Sequence, residues 1–126
     1  MRPRSLAEVA ELALGGDSFD RCLANFLDEF YSAPTAEALS TTPTLLEPKL
    51  GEIGHIQDAY LAATAEELAR AHGLRMPDWA NDETRKLHRP YFASPLVSLR
   101  AVLLVESPAG FRARNLFVSE NALSRA

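Results

Sequence analysis

The hydrophobic positions of this chain fall mostly into helical spacing. Leu6, Val9, Ala10, Ala13 and Leu14 recur every three or four residues behind Ser5-Leu6-Ala7-Glu8. That opening reads as a capping box, with the Ser5 hydroxyl accepting from the Glu8 amide. Gly15-Gly16 then ends the helix, because glycine enters the left-handed turn without a side-chain clash. A second helix begins behind Asp17 or Ser18. Its stripe is Phe19, Cys22, Leu23, Phe26, Leu27, Phe30 and Tyr31, the strongest helical signal in the chain. Cys22 lies on that stripe and reads as a small buried hydrophobe.

Residues 32–52 are broken by Pro34, Pro43 and Pro48. Thr35 can cap a short helix through Leu39, and Thr42-Pro43 suits the start of another turn. The longest helix is expected over roughly 52–72, with Ile53, Ile56, Tyr60, Ala63, Leu68 and Ala71 recurring at helical spacing. Gly73 and Pro77 close it. Residues 75–93 look irregular, with a short helix possible from Asp82 to Leu87. Ser94-Pro95 is a start signal for a helix to about Glu106. It is apolar on nearly all sides, which predicts a central helix or a buried strand, with helix preferred. Ser107-Pro108 starts a turn through Ala113. Asn115–Val118 is strand-like without a visible mate, and Ser119 caps a last helical turn to Ala126. The sum is one all-α domain over 1–126: an irregular bundle of about five main helices with little or no sheet.

Composition narrows the function classes. The 126 residues are 47% hydrophobic and 24% charged, as in an ordinary globular domain, which excludes a disordered acidic chain. The single cysteine excludes an internal disulfide and fits a reducing cytoplasm. No apolar run approaches the ~20 residues of a membrane span. The formal charge is −4, but residues 1–63 hold four Lys/Arg against ten Asp/Glu, while residues 64–126 hold nine against seven. An anionic partner would meet the second half. The whole chain is too acidic for a general nucleic-acid binder, which needs a dense basic face.

Catalytic and cofactor motifs are missing from the sequence. It has no phosphate loop, no dinucleotide turn, no nucleophile elbow and no zinc-ligand spacing. No catalytic residue, metal or cofactor is therefore assigned. His55 and Asp58 lie one turn apart and read as a polar face pair. A small enzyme would need His55, His72 or His88 gathered in a pocket with carboxylates. Two basic segments stand out. Arg85, Lys86, His88 and Arg89 precede Tyr91 and Phe92, and positive charge beside aromatics can hold phosphate and stack bases. Arg112, Arg114 and Asn115 lie between Phe111 and Phe117. There the aromatics should pack inward against helix 95–106 while the arginines project outward to a partner. Asp28 and Glu29 could offer an acidic ridge on the second helix.

The stretch from Leu104-Val105-Glu106-Ser107-Pro108 to Ala126 resembles the end of a family of small uncharacterised bacterial proteins. So do Tyr60-Leu61-Ala62-Ala63 through Gly73-Leu74 and Pro77-Asp78-Trp79. The resemblance covers roughly residues 55–126. Some members are encoded beside nucleotidyltransferase-like toxins or joined to helix-turn-helix domains. It implies an antitoxin-like, non-enzymatic protein-binding subunit in the cytoplasm that neutralises or scaffolds a partner protein. This chain lacks the Gly-Ser…Asp-x-Asp pattern of a nucleotidyltransferase and a convincing helix-turn-helix. The resemblance therefore makes it the toxin's partner rather than the toxin. The alternative is a nucleic-acid-binding module using the basic second half.

Overall fold

The computed structural model describes residues 2–94 and 99–125. Among them the fold is all-α with little sheet: seven helices and one two-residue strand pair. Helix α1 (Leu6–Leu14) is capped by Ser5, whose Oγ accepts from Glu8 N at 3.1 Å. Glu8 reaches back one residue further than a capping box requires, accepting from Arg4 N at 3.2 Å. Helix α2 (Phe19–Ser32) is capped by Ser18, whose Oγ accepts from Arg21 N. Its expected stripe is buried from Phe19 to Phe30, Cys22 included, while Tyr31 stays partly exposed. Two short helices follow, α3 (Glu37–Ser40) and α4 (Glu47–Leu50). The turn expected after Thr42-Pro43 does not form as a helix. Pro48 opens α4 instead, where its missing N–H is no loss.

The central element is α5 (Glu52–Ala71), buried on most sides between Asp58 and Ala69. Small residues make that possible. Ala59, Ala62, Ala63, Ala65 and Ala69 let neighbours approach from several directions. The expected stripe is only partly the buried one, and Ile53 is exposed. Close approach is tightest at Gly54, where a Cβ would lie 2.5 Å from Leu46 O. The buried Asp58 completes the joint: its carboxylate accepts from Leu46 N at 2.7 Å and Glu47 N at 3.1 Å, at the start of α4. The polar face pair read for His55 and Asp58 is corrected: Asp58 bonds to the α4 backbone, while His55 meets Glu47 and Lys86 O. Burial pushes the Asp58 carboxyl above its ordinary range, and the two backbone amides pull it back only in part.

One side of α5 completes a core with α1 and α2, and the other a smaller core with Phe111, Leu116 and Val118. Tyr60 and Leu123 touch both. After α5 come 3₁₀ turns at Asp78–Asn81 and Glu83–Arg85, where one short helix was expected. Strand β1 (Tyr91–Phe92) leads through α6 (Arg100–Glu106) and α7 (Ala109–Arg112) to β2 (Leu116–Phe117). The two strands pair in parallel, Tyr91 with Leu116 and Phe92 with Phe117, so the strand-like run has a mate after all. Residues 119–125 form turns and not a helix.

The expectation of a central helix at 95–106 is corrected. Residues 95–98 lie outside the described residues. From Arg100 to Glu106, only Leu103 is buried. The centre of the bundle is occupied by the alanine-rich α5, so α6 lies on the outside.

Candidate functional site

The partner-binding residues inferred from sequence fare differently from one another. Phe111, Leu116, Phe117 and Val118 are buried as expected, but Phe111 packs on Tyr60 of α5, with ring centroids 4.9 Å apart. Arg112 is exposed and makes no ion pair among the described residues. Arg114 is not on the surface. It is 2% exposed and binds Glu66 Oε1 at 2.8 Å, Gly110 O at 2.6 Å and Ala80 O at 2.7 Å. Its planar fork meets three acceptors at once, which is what makes a buried arginine tolerable. Burial alone would raise the Glu66 carboxyl, but Arg114 and Arg70 outweigh it and hold Glu66 below its ordinary range.

Asn115 also works internally. It takes a left-handed backbone (φ 62°), a conformation asparagine tolerates better than most residues. Its side-chain amide donates to Leu87 O at 2.8 Å, and its carbonyl accepts from Tyr91 N at 2.9 Å. One residue thus pins both ends of the 87–91 loop. Asp28 and Glu29 are engaged within the chain. Arg125 holds Asp28 through two contacts, at 2.9 and 3.3 Å, and Arg2 reaches Glu29 at 3.5 Å. The Arg125 hydrogen bond pulls the Asp28 carboxyl below its ordinary range.

The basic segment divides in the same way. Arg85 is 2% exposed, stacks over the Trp79 ring at 4.8 Å and donates to Pro43 O at 2.5 Å. Lys86 pairs with Glu83. His88 and Arg89 remain on the surface. A dense cationic strip of Arg85, Lys86, Arg89, Arg112 and Arg114 is therefore not formed, because two of the five point inward.

Two of the histidines do come together. The His55 and His88 rings lie 6.0 Å apart, beside an open cleft of about 360 Å³ that also involves Glu52, Arg89 and Tyr91. His55 is a tie in this wall. Its Nδ1 lies 3.1 Å from the Glu47 carboxylate and its Nε2 lies 3.1 Å from Lys86 O. His72 stands at the far end of α5, roughly 25 Å away at 1.5 Å per residue, packed on Phe30 and Tyr31. Among the described residues, no group of three or more His, Cys, Asp or Glu is arranged to hold a metal ion.

No protein-family model, curated protein or solved structure matches this chain. The feature that sequence reasoning missed is the outer face of α6. Val105 is 80% exposed, Val102 49% and Leu104 46%, with Leu99 at 40% just before the helix. The run of apolar residues was visible, but its depth was not. Ser107 fastens the helix: its Oγ lies 2.7 Å from Leu103 O, 2.8 Å from Val118 O, and accepts from Val118 N at 2.7 Å. Among the described residues, no helix is long and apolar enough to cross a membrane.

Proposed function

We propose that this chain is a non-enzymatic protein-binding subunit, antitoxin-like and cytoplasmic, that docks a partner protein on the outer face of α6. The observation that carries this reading is the exposure of Leu99, Val102 and Val105, spaced three apart and so brought to one side of α6. Neighbouring large apolar side chains left exposed on a small domain mark an interaction site more often than chance exposure. Arg112, on the next helix, is exposed and makes no ion pair among the described residues, which suits an interface rim. The acidic first half suits a partner that itself binds RNA or nucleotide. This is also the partner class implied by the resemblance to proteins encoded beside nucleotidyltransferase-like toxins.

The test is co-expression with the product of the adjacent gene, followed by size-exclusion chromatography. The two should co-elute, and Val102→Asp with Val105→Asp should separate them. The double variant should stay folded with little change in melting temperature, since Val105 is mostly in solvent and Val102 is half exposed. Separate elution of the wild-type proteins at micromolar concentration refutes the reading.

A further inference from the structure

We propose that the cleft between the start of α5 and the 87–91 loop binds a nucleotide, independently of any protein docked on α6. Its apolar floor is Ile56 and Leu87. Around it stand Glu52, His88, Arg89 and Tyr91, all exposed, and none of their side chains makes an ion pair or hydrogen bond among the described residues. The volume of about 360 Å³ lies at the small end of ligand sites. That is room for a single nucleotide unit.

The chemistry of the rim is two-ended. Arg89 and His88 can donate to phosphate oxygens, and arginine does so through a planar fork. The Tyr91 ring, 42% exposed, offers a face on which a base can stack. Glu52 at the first turn of α5 is an acceptor only. It favours a base that carries an exocyclic amino group and disfavours one that presents a carbonyl there. A second cleft, lined by Phe92 and Arg100, shares Pro90 and Tyr91 with the first. Arg100 lies over the Phe92 ring at 5.1 Å, so the cationic edge continues beyond Tyr91.

The platform is held rather than loose. Asn115 fixes the loop at Leu87 and Tyr91, Leu87 N donates to Arg114 O, and Phe92 stacks on Phe117 at 5.0 Å. His55 ties the wall to α4 through Glu47 and to the loop through Lys86 O. The backbone that carries the recognition side chains therefore needs little ordering when a ligand arrives, and the cost left is that of the side chains themselves.

The experiment is a titration of the full chain, followed by amide chemical shifts. The probes are AMP, CMP, UMP, ribose 5-phosphate, inorganic phosphate, a ten-residue deoxyadenylate strand and a polyglutamate peptide. AMP and CMP should saturably shift residues 52–56 and 87–92, and UMP should bind more weakly. Arg89→Ala should weaken AMP about tenfold or more, and Tyr91→Leu by about 5- to 100-fold. Glu52→Gln should narrow the gap between AMP and UMP. Arg75→Ala, in a separate cleft, should change nothing. Unchanged shifts away from the cleft in each variant exclude misfolding as the cause.

The strand and AMP arms identify the source of the nucleotide. Strand binding that is tighter and falls steeply with salt assigns a single-stranded nucleic acid. Equal affinity assigns a free nucleotide. Three results overturn the proposal. One is no shift with AMP at about 5 mM, beyond the millimolar limit of weak binding. Another is equal shifts from inorganic phosphate or polyglutamate, which would leave a simple anion site. The third is AMP binding unchanged by Arg89→Ala and Tyr91→Leu. Failure here leaves the α6 docking reading intact, because the two tests use different residues.

Discussion

Replacing Arg114 by alanine tests whether this arginine is a structural hub. Its guanidinium binds Glu66, Gly110 O and Ala80 O, joining α5, α7 and the turn at Asp78–Asn81. In Arg114→Ala, the Gly110 and Ala80 carbonyls lose these bonds. Glu66 loses one of two cations and keeps Arg70 at 2.5 Å. Hydrogen bonds to charged groups contribute about 1.5–3 kcal/mol each, and breaking a buried pair costs about 3–5 kcal/mol. The residual Arg70 contact limits the Glu66 share, so the whole loss should be about 3–5 kcal/mol. For a chain of this size, that is a fall of roughly 10–20 °C in melting temperature. Arg114→Lys keeps the charge but cannot reach three acceptors, and should recover less than half of the loss. Arg112→Ala, on the surface two residues earlier, should be nearly silent. Urea denaturation of the three variants gives the comparison. A loss below about 1 kcal/mol for Arg114→Ala would refute the hub, because that is the scale of an exposed contact.

The remaining predictions concern packing and pH. Phe117→Ala removes a ring stacked on Phe92 and 9% exposed; it should cost about 3–5 kcal/mol in urea denaturation. Glu66 is held below its ordinary range in the folded chain. Its stabilising contribution is therefore present above about pH 4.5 and is lost as the pH falls through the lowered folded value. A pH series of melting curves should show that slope, and Arg114→Ala should flatten it.

The elements bounded by local chemistry were legible in the sequence. Ser5 and Ser18 cap the helices that follow them, and the Phe19–Phe30 stripe faces the core, because caps and periodicity act within a few residues. Three things were not legible. The parallel mate of Leu116-Phe117 is Tyr91-Phe92, and a two-residue pairing leaves no periodic signature. Arg114 is buried because Glu66 waits for it, and nothing near position 114 announces a carboxylate 48 residues back. Arg85 is drawn in by Trp79 and Pro43 O in the same way. The misplaced depth of α6 has the same origin. Alanine scores weakly as a hydrophobe, so hydrophobic patterning underrates α5 as the central helix and favours the more apolar segment at 95–106. Of the surface features, His88 and Arg89 were found from the charge run. Glu52 and the outer face of α6 needed the tertiary arrangement.

The parallel pairing of β1 with β2 has a consequence for α6. Parallel neighbours cannot be joined by a tight turn; the chain must cross over, and here the crossover carries α6. A crossover helix ordinarily hides its apolar side on a broad sheet, but two strands of two residues are too narrow to hide much. A helix of seven residues is marginal by itself, yet this one is already wound and clipped at Ser107. Any protein that covers it meets a preformed ridge and need not order those residues. At roughly 1–2 kcal/mol of backbone entropy per residue, that spares association about 7–14 kcal/mol relative to a tail that folds only on contact.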